Sequence, residues 1–244
     1  MENCCPSKQA VKDYFKRTAQ RWDEMRKEFF DTELGLTIVR QAEIKLGDTV
    51  VDIGCGTGFL TSQAAKAVGR KGKVIGIDLS EEMLKKADEN MINVGNKGKV
   101  EFKIGDAENI PLEDDIADAV IGNMILHHCP EPKSAIIEMT RILKTNGRLV
   151  LSDLEEHDEE WLKTEMADIW LGFRSLELKE WFREAHLEAI EVLRPRSKCC
   201  GVSLAGRRAA IGILIAKGVK RAITDSSRRE RISSLKKALS IHHS

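Results

Sequence analysis

A chain of 244 residues exceeds the ~150 residues usual for one domain and falls short of two, so one α/β domain with an appendage is the first expectation. Its 42% hydrophobic and 32% charged residues match globular averages, which excludes a disordered, collagenous or disulfide-dense secreted chain. The 39 basic and 39 acidic residues cancel, but eight basic residues stand against two acidic ones from Lys217 onward, leaving a mildly acidic body; a nucleic-acid-binding domain would carry its basic face on the fold itself.

No apolar run approaches the ~20 residues of a membrane-spanning helix, and Met1-Glu2-Asn3-Cys4-Cys5-Pro6 has no basic flank leading into an apolar stretch. A cytoplasmic location is the expectation. No internal repeat is present. In chain order, Val11 to Arg21 and Asp31 to Ile44 have the periodicity of two amphipathic helices. Five β-branched runs follow: Thr49 to Ile53, Lys73 to Ile77, Val100 to Ile104, Ala117 to Ile121 and Arg148 to Leu151. Helical stretches separate them, one starting after Ser80 with Glu81 and Glu82 in its first turn and one opened by Pro132. Gly47, Gly72, Gly98 and Gly147 stand just before four of the strands, where helices end and the chain turns. Asp158 to Phe173 and Leu176 to Leu187 read as two further helices. Ala189 to Pro195 and Arg208 to Ala216 follow each other with no helix between them, so they pair antiparallel. The fold class expected is α/β: a doubly wound, seven-stranded, mostly parallel sheet with an antiparallel last strand, binding its ligand outside the carboxyl ends of the central strands.

The sharpest motif is Val51-Asp52-Ile53-Gly54-Cys55-Gly56-Thr57-Gly58, between the first strand and its helix. Glycines there let the backbone pass close beneath a ligand and let the helix amino end point at it. Asp78, twenty positions beyond Gly58, ends the second strand, where a carboxylate can accept both hydroxyls of a ribose. A dinucleotide fingerprint would need Gly or Ala at position 59, which is Phe59. Asp52 adds a charged group inside a buried strand end, costly unless a hydrogen-bonding or cationic partner meets it.

Together with Asp78-Leu79-Ser80, Gly105-Asp106-Ala107-Glu108 and Asn123-Met124-Ile125-Leu126-His127-His128-Cys129-Pro130, this motif resembles the class I S-adenosylmethionine-dependent methyltransferases, which have a Rossmann-like fold. The resemblance covers about Tyr14 to Lys217. It implies residues 1–45 as an N-terminal helical lid, 46–218 as the methyltransferase domain and 219–244 as a basic tail. It also implies that S-adenosylmethionine is the cofactor, with Asp52, Gly54, Cys55, Gly56 and Gly58 around its methionine part. Asp78 would hold the ribose and Asp106 the adenine amino group, with Leu79, Met83, Gly105 and Ala107 also binding the cofactor. Asn123, Met124, His127 and His128 would line the methyl-transfer site, Asn123 and His127 as the catalytic pair.

Tyr14 to Arg26 and Asp153 to Leu162 resemble a narrower branch that includes quinone-biosynthesis and arsenite methyltransferases. In that branch the N-terminal helix is a lid, which implies Tyr14, Trp22 and Arg26 near the sulfonium. Displacement at a sulfonium asks for orientation and exclusion of water. A base is needed only for a hydroxyl acceptor, and His127 or His128 is placed to serve.

The cysteines hint at the acceptor. Cys4-Cys5 and Cys199-Cys200 are vicinal pairs at opposite ends of the chain. Thiolates bind soft ions, and three converging on one point would hold arsenite. The favoured expectation is a methyltransferase acting on trivalent arsenic held by Cys4, Cys5, Cys199 and Cys200. A quinone precursor or another small hydroxyl or thiol compound is the alternative. Two other classes stay open: a cofactor-binding protein without catalysis, and a nicotinamide oxidoreductase. The partner implied is a small-molecule substrate, with no nucleic acid and no membrane, and a homodimer is left open.

Overall fold

The computed structural model describes residues 6–92 and 99–222. Three helices, not two, precede the sheet: α1 (Lys8–Thr18), α2 (Trp22–Phe29) and α3 (Thr32–Gln41). The Ser7 side chain accepts from the Ala10 amide at 3.2 Å and so caps α1, while Asp31 accepts from the Leu34 amide at 3.1 Å and starts α3 afresh. The extra helix, α2, carries Asp23 and Glu24 in its first turn, where acids favour a helix start.

The alternation that follows is β1 (Thr49–Ile53), α4 (Phe59–Val68), β2 (Lys73–Asp78), α5 (Glu81–Ile92), β3 (Lys99–Ile104), β4 (Ala117–Asn123), a 3₁₀ turn (Leu126–His128), α6 (Pro132–Arg141) and β5 (Leu143–Leu154). Then come α7 (Trp161–Glu165), α8 (Ser175–Glu184), β6 (Leu187–Leu193), β7 (Lys198–Val202) and β8 (Arg208–Lys220). The sheet order is β3-β2-β1-β4-β5-β8-β6. Strands β1 to β5 pair in parallel, and β8 runs antiparallel between β5 and β6. This is the doubly wound arrangement expected, with one strand more: β7 makes the sheet eight-stranded by pairing with the first half of β8, Cys199 opposite Ile211. Strand β8 runs for 13 residues, so its first half overshoots the sheet and carries β7 beyond the carboxyl ends of the parallel strands.

Two local expectations are corrected. Gly147 lies inside β5, and the helix expected over Asp158 to Phe173 is helical only in α7. The rest of that segment gives its amides to other elements. Ile169 and Trp170 both donate to the His127 carbonyl, and Phe173 donates to Leu154 at the end of β5. These tertiary bonds outweigh local helix propensity. Gly98, Cys4, Cys5 and nearly all of the basic tail lie outside the described residues.

Alternate residues of each strand feed two cores. Val51, Ile53, Val120 and Leu149 face α6 and α8 through Met139 and Phe182. Val50, Val74, Ile121 and Val150 face α3 and α4 through Leu34, Ile38 and Ala64. No helix among the described residues is long and apolar enough to cross a membrane. The helix α3 is therefore part of the core rather than a detachable cover. Leu34→Ala, at a site with no solvent exposure, is expected to lower unfolding free energy by about 2–5 kcal/mol in a denaturant titration.

Candidate active site

After Ile53 the chain bends through two left-handed glycines, Gly54 (φ +66°) and Gly56 (φ +52°). A Cβ on Gly54 would lie 2.6 Å from Ile125 Cδ1, so packing and backbone both demand glycine. A Cβ on Gly56 would meet the Trp22 indole, Nε1 at 3.6 Å, in ordinary van der Waals contact. The Gly56 amide donates to Asp78 Oδ2 at 2.8 Å and the Ser80 amide to Asp78 Oδ1 at 2.9 Å. The bend is thus tied to the tip of β2. Burial raises the Asp78 pKa, and these amide bonds oppose the rise. Asp52 meets the partner its position required: Thr61 donates to its Oδ2 at 2.5 Å, and burial still pushes its pKa up to about 7. Cys55 is buried, its thiol held protonated by the same desolvation.

Every residue assigned to the cofactor except Tyr14 and Gly58 lines one continuous cleft above the carboxyl ends of β1, β2 and β4, of about 1430 Å³ out to open solvent. Tyr14 is corrected: it packs with Val11 and Ala167 behind the cleft wall, its hydroxyl donating to Met166 Sδ at 3.1 Å. Gly58 likewise stands outside the lining, as the residue that starts α4 against Ala87 and Met91. At the far end, Lys8 of α1 reaches Asp106 at 2.7 Å and Glu108 at 2.6 Å. The carboxylate assigned to the adenine is therefore held by the first helix.

The lid lies close. Asp23 of α2 accepts from Thr57 Oγ1 at 2.6 Å in the glycine loop and from Asn90 Nδ2 at 2.8 Å on α5. Phe15 of α1 packs edge-on against both Trp22 and His128.

The opposite end of the cleft carries a buried line of charge. His127 Nδ1 lies 2.7 Å from Asp153 Oδ1, and His127 Nε2 lies 3.8 Å from Asp168 Oδ1. The amides of Leu126 and Leu154 hold Asp153 in place at 2.8 and 2.7 Å. Burial opposes a charge on His127, but Asp153 and Asp168 outweigh it and raise its pKa to about 9. Asp168 is raised by burial to about 6, with His127 opposing. At neutral pH His127 therefore holds its proton as an imidazolium and does not offer the free ring nitrogen of the base expected of it. His128 is kept neutral by burial and by the charge next to it, its Nδ1 3.2 Å from the Ala167 carbonyl. Asn123 Oδ1 accepts from Ser152 at 2.7 Å, which fixes the amide at the end of β4. Met124 beside it has φ +56°, backbone strain of the kind that collects at binding sites.

Of the four thiols expected to meet, Cys199 and Cys200 both line the cleft, and Cys4 and Cys5 lie outside the described residues. Cys199 and Cys200 occupy successive positions of β7, opposite Ile211 and Ala210, so their side chains leave opposite faces of the strand. Burial pushes the Cys199 thiol up to about 12, with Asp168, Cys200 and Asp153 adding to the shift. It is a neutral thiol.

Sequence reasoning missed Asp153 and Asp168 as site residues. Asp153 had the same signal as Asp52, an acid at the end of a buried strand. Asp168 had none, because the break of α7 that turns it inward is set by distant partners. If Asp153 sustains the charge on His127, Asp153→Asn should move the His127 pKa, followed by its imidazole NMR signals, down from about 9 toward the ordinary histidine value; an unmoved titration would remove the coupling.

The model of the family described as "Methyltransferase domain" matches residues 44–203. A demethylmenaquinone methyltransferase of Desulfitobacterium hafniense is 34% identical over 169 residues, 68% of this chain and 66% of that one. An arsenite methyltransferase of Halobacterium salinarum is 32% identical over 152 residues, 60% of this chain and 39% of that one. The chain thus spans just under two thirds of the first relative's length and about two fifths of the second's. The structure of a SAM-dependent methyltransferase from Aquifex aeolicus shares the fold, with a TM-score of 0.57 and 24% identity over 87% of this chain and 98% of that one. The matched residues take in the glycine bend, Asp78, Asp106 and the Asp153–His127–Asp168 line, and they set the nicotinamide alternative aside. The chain belongs to the methyltransferase-domain family.

Proposed function

We propose that the chain moves a methyl group from S-adenosylmethionine to a small, largely apolar acceptor bearing an acidic hydroxyl, a phenol or hydroquinone. The observation that carries this reading is the buried Asp153–His127–Asp168 line, set in a cleft walled by Phe29, Phe59, Met124, Leu154, Trp161 and Met166. The residues at the other end suit the cofactor: Gly54 and Gly56 line the cleft with left-handed backbone, and Asp78 stands at the strand tip for a ribose. When bound, it supplies an electrophilic methyl group on a good leaving group.

The side chains handle the acceptor. Asp168, ionised above about 6, takes the hydroxyl proton. The His127 imidazolium, present below about 9 and steadied by Asp153, faces the oxyanion that results. Asn123 offers its amide to the same region, and the aromatic walls with helices α1 and α2 as a lid exclude water. The family relationship to a demethylmenaquinone methyltransferase supports an acceptor of this class.

Trivalent arsenic is the second reading. Cys199 and Cys200 in the cleft lining and the Halobacterium relative favour it, while the neutral Cys199 thiol weighs against a preformed thiolate site.

Assays of methyl transfer to a soluble hydroquinone and to arsenite, each over a pH range, separate the readings. Turnover is expected with the hydroquinone, rising as pH passes about 6 while Asp168 ionises and falling above about 9 as His127 loses its proton. Asp168→Asn should lower kcat by about 10²–10⁴-fold and abolish the acidic limb. Turnover with arsenite alone, lost in Cys199→Ser, would establish the second reading instead. Cofactor binding without turnover on either acceptor would contradict both readings of the acceptor.

A further inference from the structure

His127 and His128 end the 3₁₀ turn after β4, and Asp168 faces them from the segment after α7. All three are buried, and all three line the cleft. One ring nitrogen of each histidine and one Asp168 oxygen lie within 4.8 Å of one another. Asp168 Oδ1 stands 3.8 Å from His127 Nε2 and 3.9 Å from His128 Nδ1, too far for hydrogen bonds. Two ligands bonded at about 2.1 Å to one ion stand about 3.4 Å apart at a tetrahedral angle and about 4.2 Å apart in line, so these gaps have the width of an ion.

Behind this corner His127 Nδ1 meets Asp153 Oδ1 at 2.7 Å, and the amides of Leu126 and Leu154 hold that carboxylate. A carboxylate on the far nitrogen orients a metal-ligating imidazole. His128 is neutral, and a neutral ring keeps a lone pair on one nitrogen; coordination through Nδ1 exchanges its 3.2 Å contact with the Ala167 carbonyl for the ion. Charge favours a cation as well. Among the described residues neither Asp153 nor Asp168 pairs with a lysine or arginine. A single imidazolium therefore leaves two buried carboxylates one positive charge short, which a divalent cation between neutral imidazoles supplies.

We propose that His127, His128 and Asp168 form a three-ligand site for a divalent transition-metal ion of the zinc class, open toward the cleft. Two imidazoles and one carboxylate suit zinc or iron(II) and not calcium or magnesium, which take oxygen ligands. Binding releases the His127 Nε2 proton to solvent. The ion keeps a free position on the cleft side, where it can hold an acceptor oxygen as a Lewis acid. That contact rests on the acceptor reading above; the metal site itself does not.

The full chain, stripped with a chelator, is titrated with zinc by calorimetry and with cobalt(II) by absorption. One tightly held ion per chain is expected, with visible cobalt bands and no thiolate charge-transfer band. His128→Gln and Asp168→Asn should each weaken zinc at least about 10- to 100-fold, and Asp153→Asn, which touches only the ligand, by a similar factor. Cys199→Ser and the double variant His242→Gln with His243→Gln should leave the affinity unchanged. Absence of uptake, or an affinity indifferent to His128 and Asp168, overturns the proposal. So does a thiolate charge-transfer band lost in Cys199→Ser, which puts the ion on the cysteines. Thermal melting establishes that each variant is folded. His128→Gln carries the test if Asp168→Asn is not, and the cobalt spectrum of the unaltered chain identifies thiolate ligands without any variant. Zinc uptake at these residues with no methyl transfer to a hydroquinone would leave the metal site standing and overturn the acceptor reading; methyl transfer by a chain that takes up no zinc would do the reverse.

Discussion

The bend through Gly54, Cys55 and Gly56 is the constraint on which the rest of the site depends. Two residues in left-handed backbone turn the chain away from β1, and one carboxylate, Asp78, accepts the amide that results. That bond crosses from one parallel strand to the next, so the loop is fixed relative to the sheet rather than to its own helix. Ile125 closes over Gly54 from the neighbouring strand end, which in turn sets where Asn123, Met124 and the two histidines stand. The cleft is rigid because three adjacent strand tips share one packed turn.

Around that frame the protein keeps ionisable groups where solvent cannot reach them. Asp52, Asp78, Asp153 and His127 are all buried or nearly so, as are Asp168 and Arg26. Some are satisfied within the fold: Asp52 has Thr61, and Asp153 has two amides and an imidazole. Arg26 Nε has no such partner, and Arg26 faces the cleft, as does Asp168 beside His127. Such groups lower stability in the free protein and are expected where a ligand completes them. Opposite charges lodged apart in one apolar cleft also distinguish its two ends, one suited to an anion and one to a proton held between carboxylates.

The parallel half of the fold was readable because its signals are local. Each of the five strands was a short β-branched run, and the glycine bend and Asp78 kept their meaning without knowledge of anything distant. What escaped depends on partners far along the chain. Strand β7 exists because β8 overshoots the sheet and offers a free edge, and nothing in Lys198 to Val202 itself announces a strand. Asp168 reaches the cleft because the His127 carbonyl draws the amides of Ile169 and Trp170 out of a helix. Adjacency of Cys199 and Cys200 suggests a shared ligand, but within a strand it sends two side chains to opposite faces, and Cys4 and Cys5 lie outside the described residues. Tyr14 was one helical face away from the role expected of it.

Crystallisation of the protein with S-adenosylhomocysteine tests the central claim most directly. Ligand density is expected along the cleft, with the homocysteine part over Gly56 beneath Trp22 and the ribose hydroxyls on Asp78. Ligand density elsewhere on the molecule, with the space above Gly56 filled only by solvent, would contradict it.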